Sequence, residues 1–371
     1  MKNNGFNSLL KKQIDRRSFL KGSALLGMTG MVSSIHGADM ADRTNEFALP
    51  NKEKKNGKKY PDFKFNKEGK FKILQLTDTH YIAGNPNSVR ALENVKQMLD
   101  IEKPDLVIHT GDVVFGQPAE QSAREILQPI VDRKIPFAVA FGNHDEEFDK
   151  TRPEMLDIVM SLPGNVNTKE EGIFGVTNCA LTISSPQSNK IERVIYLFDS
   201  NRGATIEDIP KTYGHIHFDQ IAWYRNQSET FTKNNGGIPI PSFAFFHIPL
   251  PEHKEATRDD VNSAMRGNRG ENVASPTINS GLFVSMKEMK DVDAVFVGHD
   301  HNSDFAIYWN KMFFIYGRFS GCDNVYNDLK PNGARVIELT EGDKGFHSWV
   351  RLFGGAKEQD FIYPKDFVRA K

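Results

Sequence analysis

The stretch Phe71-Lys72-Ile73-Leu74-Gln75-Leu76-Thr77-Asp78-Thr79-His80 decides how this chain is read. An apolar, strand-like run from Phe71 to Leu76 is followed directly by an aspartate and a histidine two residues apart, a spacing that lets both side chains point to one side. Working outward, Ser88 to Glu102 predicts an amphipathic helix: Val89, Leu92, Val95, Met98 and Leu99 recur at steps of three and four, with Ser88 as cap. Asp105 to His109 predicts a second strand, Ala119 to Arg133 a helix, Phe137 to Phe141 a third strand and Pro153 to Ser161 a helix, punctuated by Pro136 and Pro163. Alternating strands and helices of this kind predict an α/β domain.

The second half is richer in strands. Cys179 to Ser184, Val194 to Phe198, Phe243 to Phe246, Ala294 to Val297, Phe305 to Trp309, Phe313 to Tyr316 and Arg335 to Leu339 read as strands, and Phe218 to Lys233 and Gly281 to Met289 as helices. So many strands predict two sheets. Residues 39 to 70 include the Lys-rich run Asn51 to Lys59 without a periodic apolar face and read as a linker, leaving 71–371 as one domain. With 371 residues, 39% of them hydrophobic, the chain can bury a large core, which excludes a disordered or fibrous protein. A formal charge of −1 without a basic stripe argues against a nucleic-acid-binding module, and no segment is long and uncharged enough for a transmembrane helix.

Five short segments lie beside strand-like runs: Asp78-Thr79-His80, Gly111-Asp112, Gly142-Asn143-His144-Asp145, His247, and Gly298-His299-Asp300-His301. Their carboxylate, imidazole and amide donors suit Fe, Mn or Zn, whereas softer binding would use cysteine. Together they make a complete set of ligands for two metal ions and point to metal-assisted hydrolysis of a phosphoester. Two cations about 3.5–4 Å apart polarise phosphoryl oxygens, align an in-line nucleophile and lower the pKa of a bound water towards ~7.

In this order the segments resemble the calcineurin-like metallophosphoesterases, whose signature runs D-x-H, G-D, G-N-H-[DE], a lone H and G-H-x-H; the resemblance covers Phe71 to Leu352. The flanking sequences, His109 to Val114, Ala140 to Glu147, Phe246 to Glu252 and Gly333 to Ile337, look like the short, single-domain purple acid phosphatase-like branch. The resemblance implies a four-layer αββα sandwich with two mixed β sheets and metal-binding loops at strand ends. It implies that Asp78, His80 and His301 hold one metal, that Asn143, His247 and His299 hold the other, and that Asp112 bridges them through its two carboxylate oxygens. By the same resemblance His144 points into the cleft to stabilise the phosphoryl group or protonate the leaving oxygen, with Asp145 orienting its ring. One departure bears on the metal: where purple acid phosphatases carry a tyrosine three residues after the bridging aspartate, this chain has Phe115, and His80 stands where they have glycine. Without tyrosinate the protein should not be purple, and Fe, Mn and Zn stay open.

The N-terminus carries an address. Asp15-Arg16-Arg17-Ser18-Phe19-Leu20-Lys21 followed by the small and apolar run Gly22 to Ile35 resembles a twin-arginine export signal over residues 1–38, implying a periplasmic or extracellular protein. Six of the 47 basic and one of the 48 acidic residues fall there, so the remainder holds 41 against 47 and is mildly acidic. Cys179 and Cys322 either pair or remain buried thiols. His215 and His217 share a metal-like spacing, but the coming helix and Trp223 favour a packed or substrate-rim role. Arg266, Arg269 and Arg318 read as phosphate-gripping groups or as surface charges. The sequence therefore predicts an exported dinuclear phosphomonoesterase working through a metal-bound hydroxide, with a phosphodiesterase on nucleotides or lipid head groups and a non-catalytic metal or phosphoprotein binder as alternatives. Its oligomeric state is left open.

Overall fold

Side chains on the two faces of each central strand enter different cores, which is why these strands are rich in apolar residues on both faces. The computed structural model describes residues 61–321 and 323–367. The segment read as an export signal lies outside the described residues, as does the linker up to residue 60. In chain order come β1 (Asp62–Lys64), β2 (Lys70–Leu76), α1 (Val89–Glu102), β3 (Leu106–His109), α2 (Ala119–Asp132), β4 (Phe137–Val139) and α3 (Arg152–Met160). Next are β5 (Cys179–Ser184), β6 (Ile191–Leu197), β7 (Gly203–Ile206), β8 (Ile209–Tyr213), α4 (Phe218–Asn234), β9 (Ser242–Phe245), α5 (Pro251–Ala256), β10 (Ala264–Arg266) and α6 (Leu282–Met289). The chain continues through β11 (Val292–Val297), β12 (Ala306–Trp309), β13 (Met312–Tyr316), β14 (Gly333–Thr340), β15 (Phe346–Leu352) and β16 (Lys357–Tyr363).

One sheet has eight strands in the order β1-β5-β6-β9-β11-β13-β12-β10, the other six in the order β16-β15-β14-β2-β3-β4, and β7 and β8 form a separate hairpin. Both large sheets mix parallel and antiparallel pairs: β2, β3 and β4 run parallel, as do β6, β9, β11 and β13, while β14 lies antiparallel to β2. Phe71, Ile73, Leu106 and Ile108 of the six-stranded sheet meet Ile195, Phe243, Phe296 and Phe313 of the eight-stranded sheet in a shared central core. Their neighbours Leu74, Leu76 and Val107 pack outward on α1, α2 and α3. On the other side Tyr196, Val295 and Phe314 pack on Trp223 and Tyr224 of α4 and on Leu282 and Met286 of α6. The period-2 alternation of side chains thus divides each strand between two dry interfaces, producing the αββα sandwich.

Three readings need correction. The linker does not extend to residue 70, because β1 pairs in parallel with β5, Asp62 accepts hydrogen bonds from Thr182 and Ser184, and Phe63 and Phe65 pack on Phe71. Ser88 makes no side-chain cap to α1; it ends a 3-10 turn, and its Oγ instead accepts from the Ile82 amide and the Asn324 side chain. Val89, counted on the apolar stripe, is exposed, and Ala91 takes the core position.

Candidate metal centre

The parallel strands end together, and the polar motifs begin where they end. Asp78 and His80 follow β2, Asp112 follows β3, Asn143 follows β4, His247 follows β9, and His299 and His301 follow β11. Ladder-like hydrogen bonds carry the register past the strands: Asp78 N to Gly111 O (2.9 Å), His80 N to Asp112 O (3.0 Å) and Gly298 N to His247 O (3.1 Å). Gln75 joins the two sheets beneath the loops, its Nε2 donating to Thr110 Oγ1 and Val297 O, both at 3.0 Å. The site therefore lies beyond the carboxyl ends of parallel strands, where α/β folds place ligands.

Two groups of buried donors converge there, Asp78 with His80 and His301, and Asp112 with His247 and His299; within each group the donor atoms lie within 4.8 Å of one another. Each carboxylate commits one oxygen to the protein. Asp78 Oδ2 accepts from Thr77 Oγ1 (2.7 Å) and the His299 amide (3.1 Å), which it shares with Oδ1 (3.3 Å), and Oδ1 lies near His80 (3.8 Å), His301 (3.6 Å) and His247 (3.9 Å). Asp112 Oδ1 accepts from the His144 amide (2.9 Å), while Oδ2 lies near a histidine of each group, 3.7 Å from His80 Nε2 and 3.1 Å from His247 Nε2.

The donors are oriented but unsatisfied. His247 Nδ1 lies 2.7 Å from Thr110 O and His301 Nδ1 lies 2.8 Å from Tyr326 O, which places those protons on Nδ1 and turns Nε2 inward. Asn143 Oδ1 and His299 Nε2 are buried without a hydrogen bond, while His247 Nε2 meets Asp112 Oδ2 at 3.1 Å. A buried polar atom left unmet costs about 1–3 kcal/mol, so two together require an explanation. Cation binding supplies one, and the oxygen and imidazole donors fit such a role.

The electrostatics agree. Burial alone would raise the Asp78 and Asp112 carboxyls, yet the surrounding histidines, His247 foremost, hold both well below the ordinary range. Burial favours neutral His247, but the Asp112 and Asp78 carboxylates outweigh it and push the imidazole up to about 9. Burial lowers His299 to about 3 and His301 to about 4, leaving them neutral and able to ligate.

Asp78, His80, Asp112 and His299 all have positive φ, at 54°, 45°, 52° and 78°. For non-glycine residues this conformation costs about 1–2 kcal/mol each. Four strained donors in one place are the mark of a functional site. Gly111 is itself left-handed (φ 92°), and a Cβ there would sit 2.7 Å from both Gly142 Cα and His247 Nδ1, so a side chain would force the third and fourth loops apart.

His144 borders this centre, and the sequence-based role of Asp145 is corrected. Asp145 is buried and turned to the backbone: Oδ2 accepts from the amides of Asp112 (3.0 Å) and Gly142 (2.8 Å), Oδ1 from those of Val113 (2.8 Å) and Val114 (3.2 Å). Satisfying four amides leaves it clamping two loops rather than orienting His144. The residue missed is Glu147, whose Oε2 lies 2.5 Å from His144 Nδ1 and whose Oε1 pairs with Arg202 at 2.9 Å. The sequence signal was the three-residue spacing, closed by a turn from Glu147 N to His144 O. Arg152 supports the same loop by donating to Phe141 O and Gly142 O while pairing with buried Asp199. Phe115 packs edge-on against His80 (5.1 Å) and His144 (4.9 Å).

Other candidates fall elsewhere. His215 stacks on His217, which stacks on Phe174, giving the packed role. Arg318 is buried against Asp304 and the carbonyls of Leu329 and Pro331, while Arg266 lies over Phe367 and Arg269 reaches Asn272. Cys179 is a buried free thiol that burial pushes up to about 12, and Cys322 lies outside the described residues.

Comparison with known proteins gives the same centre a family. Over 325 residues the chain is 31% identical to phosphatase DCR2 of Saccharomyces cerevisiae, a match covering 78% of this chain and 55% of that protein, so the chain spans about half the length of that relative. It is 29% identical over 318 residues to probable inactive purple acid phosphatase 14 of Arabidopsis thaliana, covering 74% of this chain and 76% of the plant protein. Among solved structures, a dimetal phosphatase from Danio rerio shares the fold with a TM-score of 0.54 at 12% identity, covering 79% of this chain and 98% of that one. The sequence profile of calcineurin-like phosphoesterases matches residues 71–303, and the chain belongs to that family.

Proposed function

We propose that the protein is an exported dinuclear-metal phosphohydrolase whose simplest substrate class is phosphomonoesters. The observation carrying the reading is the convergence of two buried ligand sets, with Asn143 Oδ1 and His299 Nε2 left there without a hydrogen bond. Asp78, His80 and His301 would hold one ion; Asn143, His247 and His299 would hold the second, with Asp112 Oδ2 between them. Bound ions supply Lewis-acid stabilisation of phosphoryl charge and an activated water. The chain's own contribution is to fix these donors on strained loops, to exclude water with Phe115 and Phe319, and to present His144. Glu147 holds His144 Nδ1, leaving Nε2 to meet the phosphoryl group or to protonate the leaving oxygen.

A diesterase is the second reading, supported by the arginines: Arg318, which could have gripped a dianionic phosphate, is committed to Asp304. The name of the Arabidopsis relative keeps a non-catalytic binder as the alternative of another class. Metal content should be measured alongside turnover of an aryl phosphate monoester and the matching bis-aryl diester, before and after chelation. Two metals with chelator-sensitive turnover are expected, and the monoester-to-diester ratio selects the class. No metal uptake and no turnover after re-addition would sink the hydrolase reading. The export reading is supported by Arg16-Arg17-Ser18-Phe19-Leu20-Lys21, and its test is loss of secretion when both arginines are replaced by lysine.

A further inference from the structure

Two tyrosines lie against the terminal histidines of the centre, and they use their hydroxyls differently. Tyr326 stacks on His301 with ring centroids 4.4 Å apart, its carbonyl accepts from His301 Nδ1, and its hydroxyl donates to Glu271 at 3.0 Å. Every polar group of Tyr326 near the site thus serves the scaffold. Tyr213 meets His299 edge-on at 4.5 Å and 84°, but its hydroxyl has no hydrogen-bond partner among the described residues, and 41% of the residue is open to solvent.

The segment bearing Tyr213 is anchored at both ends and otherwise unpacked. Arg202, just before β7, pairs with Glu147, the residue holding His144; Thr212 Oγ1, near the end of β8, accepts from the Thr277 amide at 2.9 Å. Between these anchors the hairpin exposes Ile206 and Ile209 and adds nothing to the central core. One short hairpin therefore touches the group that holds His144 at one end and a metal-ligand histidine at the other. The edge-on contact with His299 fixes the Tyr213 ring beside the centre while leaving part of it open to solvent.

Resting on the phosphohydrolase reading above, we propose that Tyr213 is a specificity-determining residue, its exposed ring forming the wall against which a planar aromatic group esterified to phosphate is seated. The phosphoryl end would lie over the two donor groups. Phe115, half-buried beside His80, adds a second aromatic ring at the centre, which suits an organic rather than a polyphosphate substituent. Ring-to-ring contact adds to the burial of apolar area without demanding a charge.

The test uses the metal-loaded full chain, with phenyl phosphate against methyl phosphate for turnover and phenylphosphonate against methylphosphonate for calorimetric binding. Tyr213→Ala is expected to lower both phenyl-to-methyl ratios by roughly tenfold, with metal content still two per chain, and Tyr213→Phe to retain most of both ratios. Unchanged ratios in Tyr213→Ala, equal loss for phenyl and methyl ligands, or a fall in metal content would overturn the proposal, since Tyr213 would then merely prop His299. Loss in Tyr213→Phe as complete as in Tyr213→Ala would also overturn it, and this variant remains informative if alanine does not fold. If the wild type hydrolyses no phosphoester, it is the hydrolase reading that fails, and the phosphonate ratios still decide the role of Tyr213.

Discussion

The two donor groups are built from similar side chains but held together differently. In the first, His80 and His301 meet Nε2 to Nε2 at 3.0 Å; with the His301 proton on Nδ1, His80 donates and the pair is satisfied. In the second, Asn143 Oδ1 and His299 Nε2 have no hydrogen bond, and His247 Nε2 is drawn to 3.1 Å from Asp112 Oδ2 by charge. Metal entry would therefore break a hydrogen bond in the first group and displace a proton from the second. The contrast separates a group organised by contact from one organised by electrostatics.

The most severe way to break this contrast is Asp112→Ala, because Asp112 Oδ2 faces both groups. Loss of a shared ligand should remove several kcal/mol of transition-state stabilisation, on the order of a thousandfold in kcat, together with uptake of both metals; steady-state kinetics and elemental analysis check it. Asp145→Asn is next. An amide would turn an NH2 towards backbone donors that now face a carboxylate, and about 3 kcal/mol of stability should be lost, read by thermal unfolding with and without metal. Wild-type stability would show that Asp145 does not clamp the loops.

A smaller effect sharpens the electrostatic half. In the metal-free chain the His247 pKa is raised from 6.5 to about 9, so its stabilising contribution is complete below pH 6.5 and fades as pH rises through about 9. Metal affinity at the second group should run the other way, rising by up to about tenfold per pH unit until pH 9 and then levelling. His301, lowered to about 4, gives the first group no such slope in that range. Calorimetric titrations in buffers of different ionisation heat would detect the released proton; two sites with equal pH slopes would erase the distinction. The smallest effect belongs to Tyr326→Phe, which removes only the bond to Glu271 and should cost about 1 kcal/mol, with catalysis nearly intact.

Much of this was readable before any coordinates. Phe71 to Leu76 announced β2 because a strand buried on both faces is rich in apolar residues, here broken only by Lys72 and Gln75, and Asp78, His80, Asp112, His299 and His301 sit in short motifs tied to strand ends. Other parts were hidden for physical reasons. Strand β16, Lys357–Tyr363, is an edge strand with mostly polar residues, and the short exposed β7 and β8 bury little. Asp145 and Glu147 could not be told apart in sequence: both are acids near His144, and only the fold of the turn decides which carboxylate meets the imidazole and which meets the amides. Arg318 was misjudged because its partner Asp304 lies 14 residues away, just before β12.

The left-handed backbone at His80 and His299 has an evolutionary corollary. Glycine would adopt those angles without steric cost, so in a lineage selected for thermal persistence alone the residues discarded first would be the ones that make the protein useful. Relief of that strain offsets part of the packing lost with the buried imidazoles, so a relative without these donors need not have lost its fold.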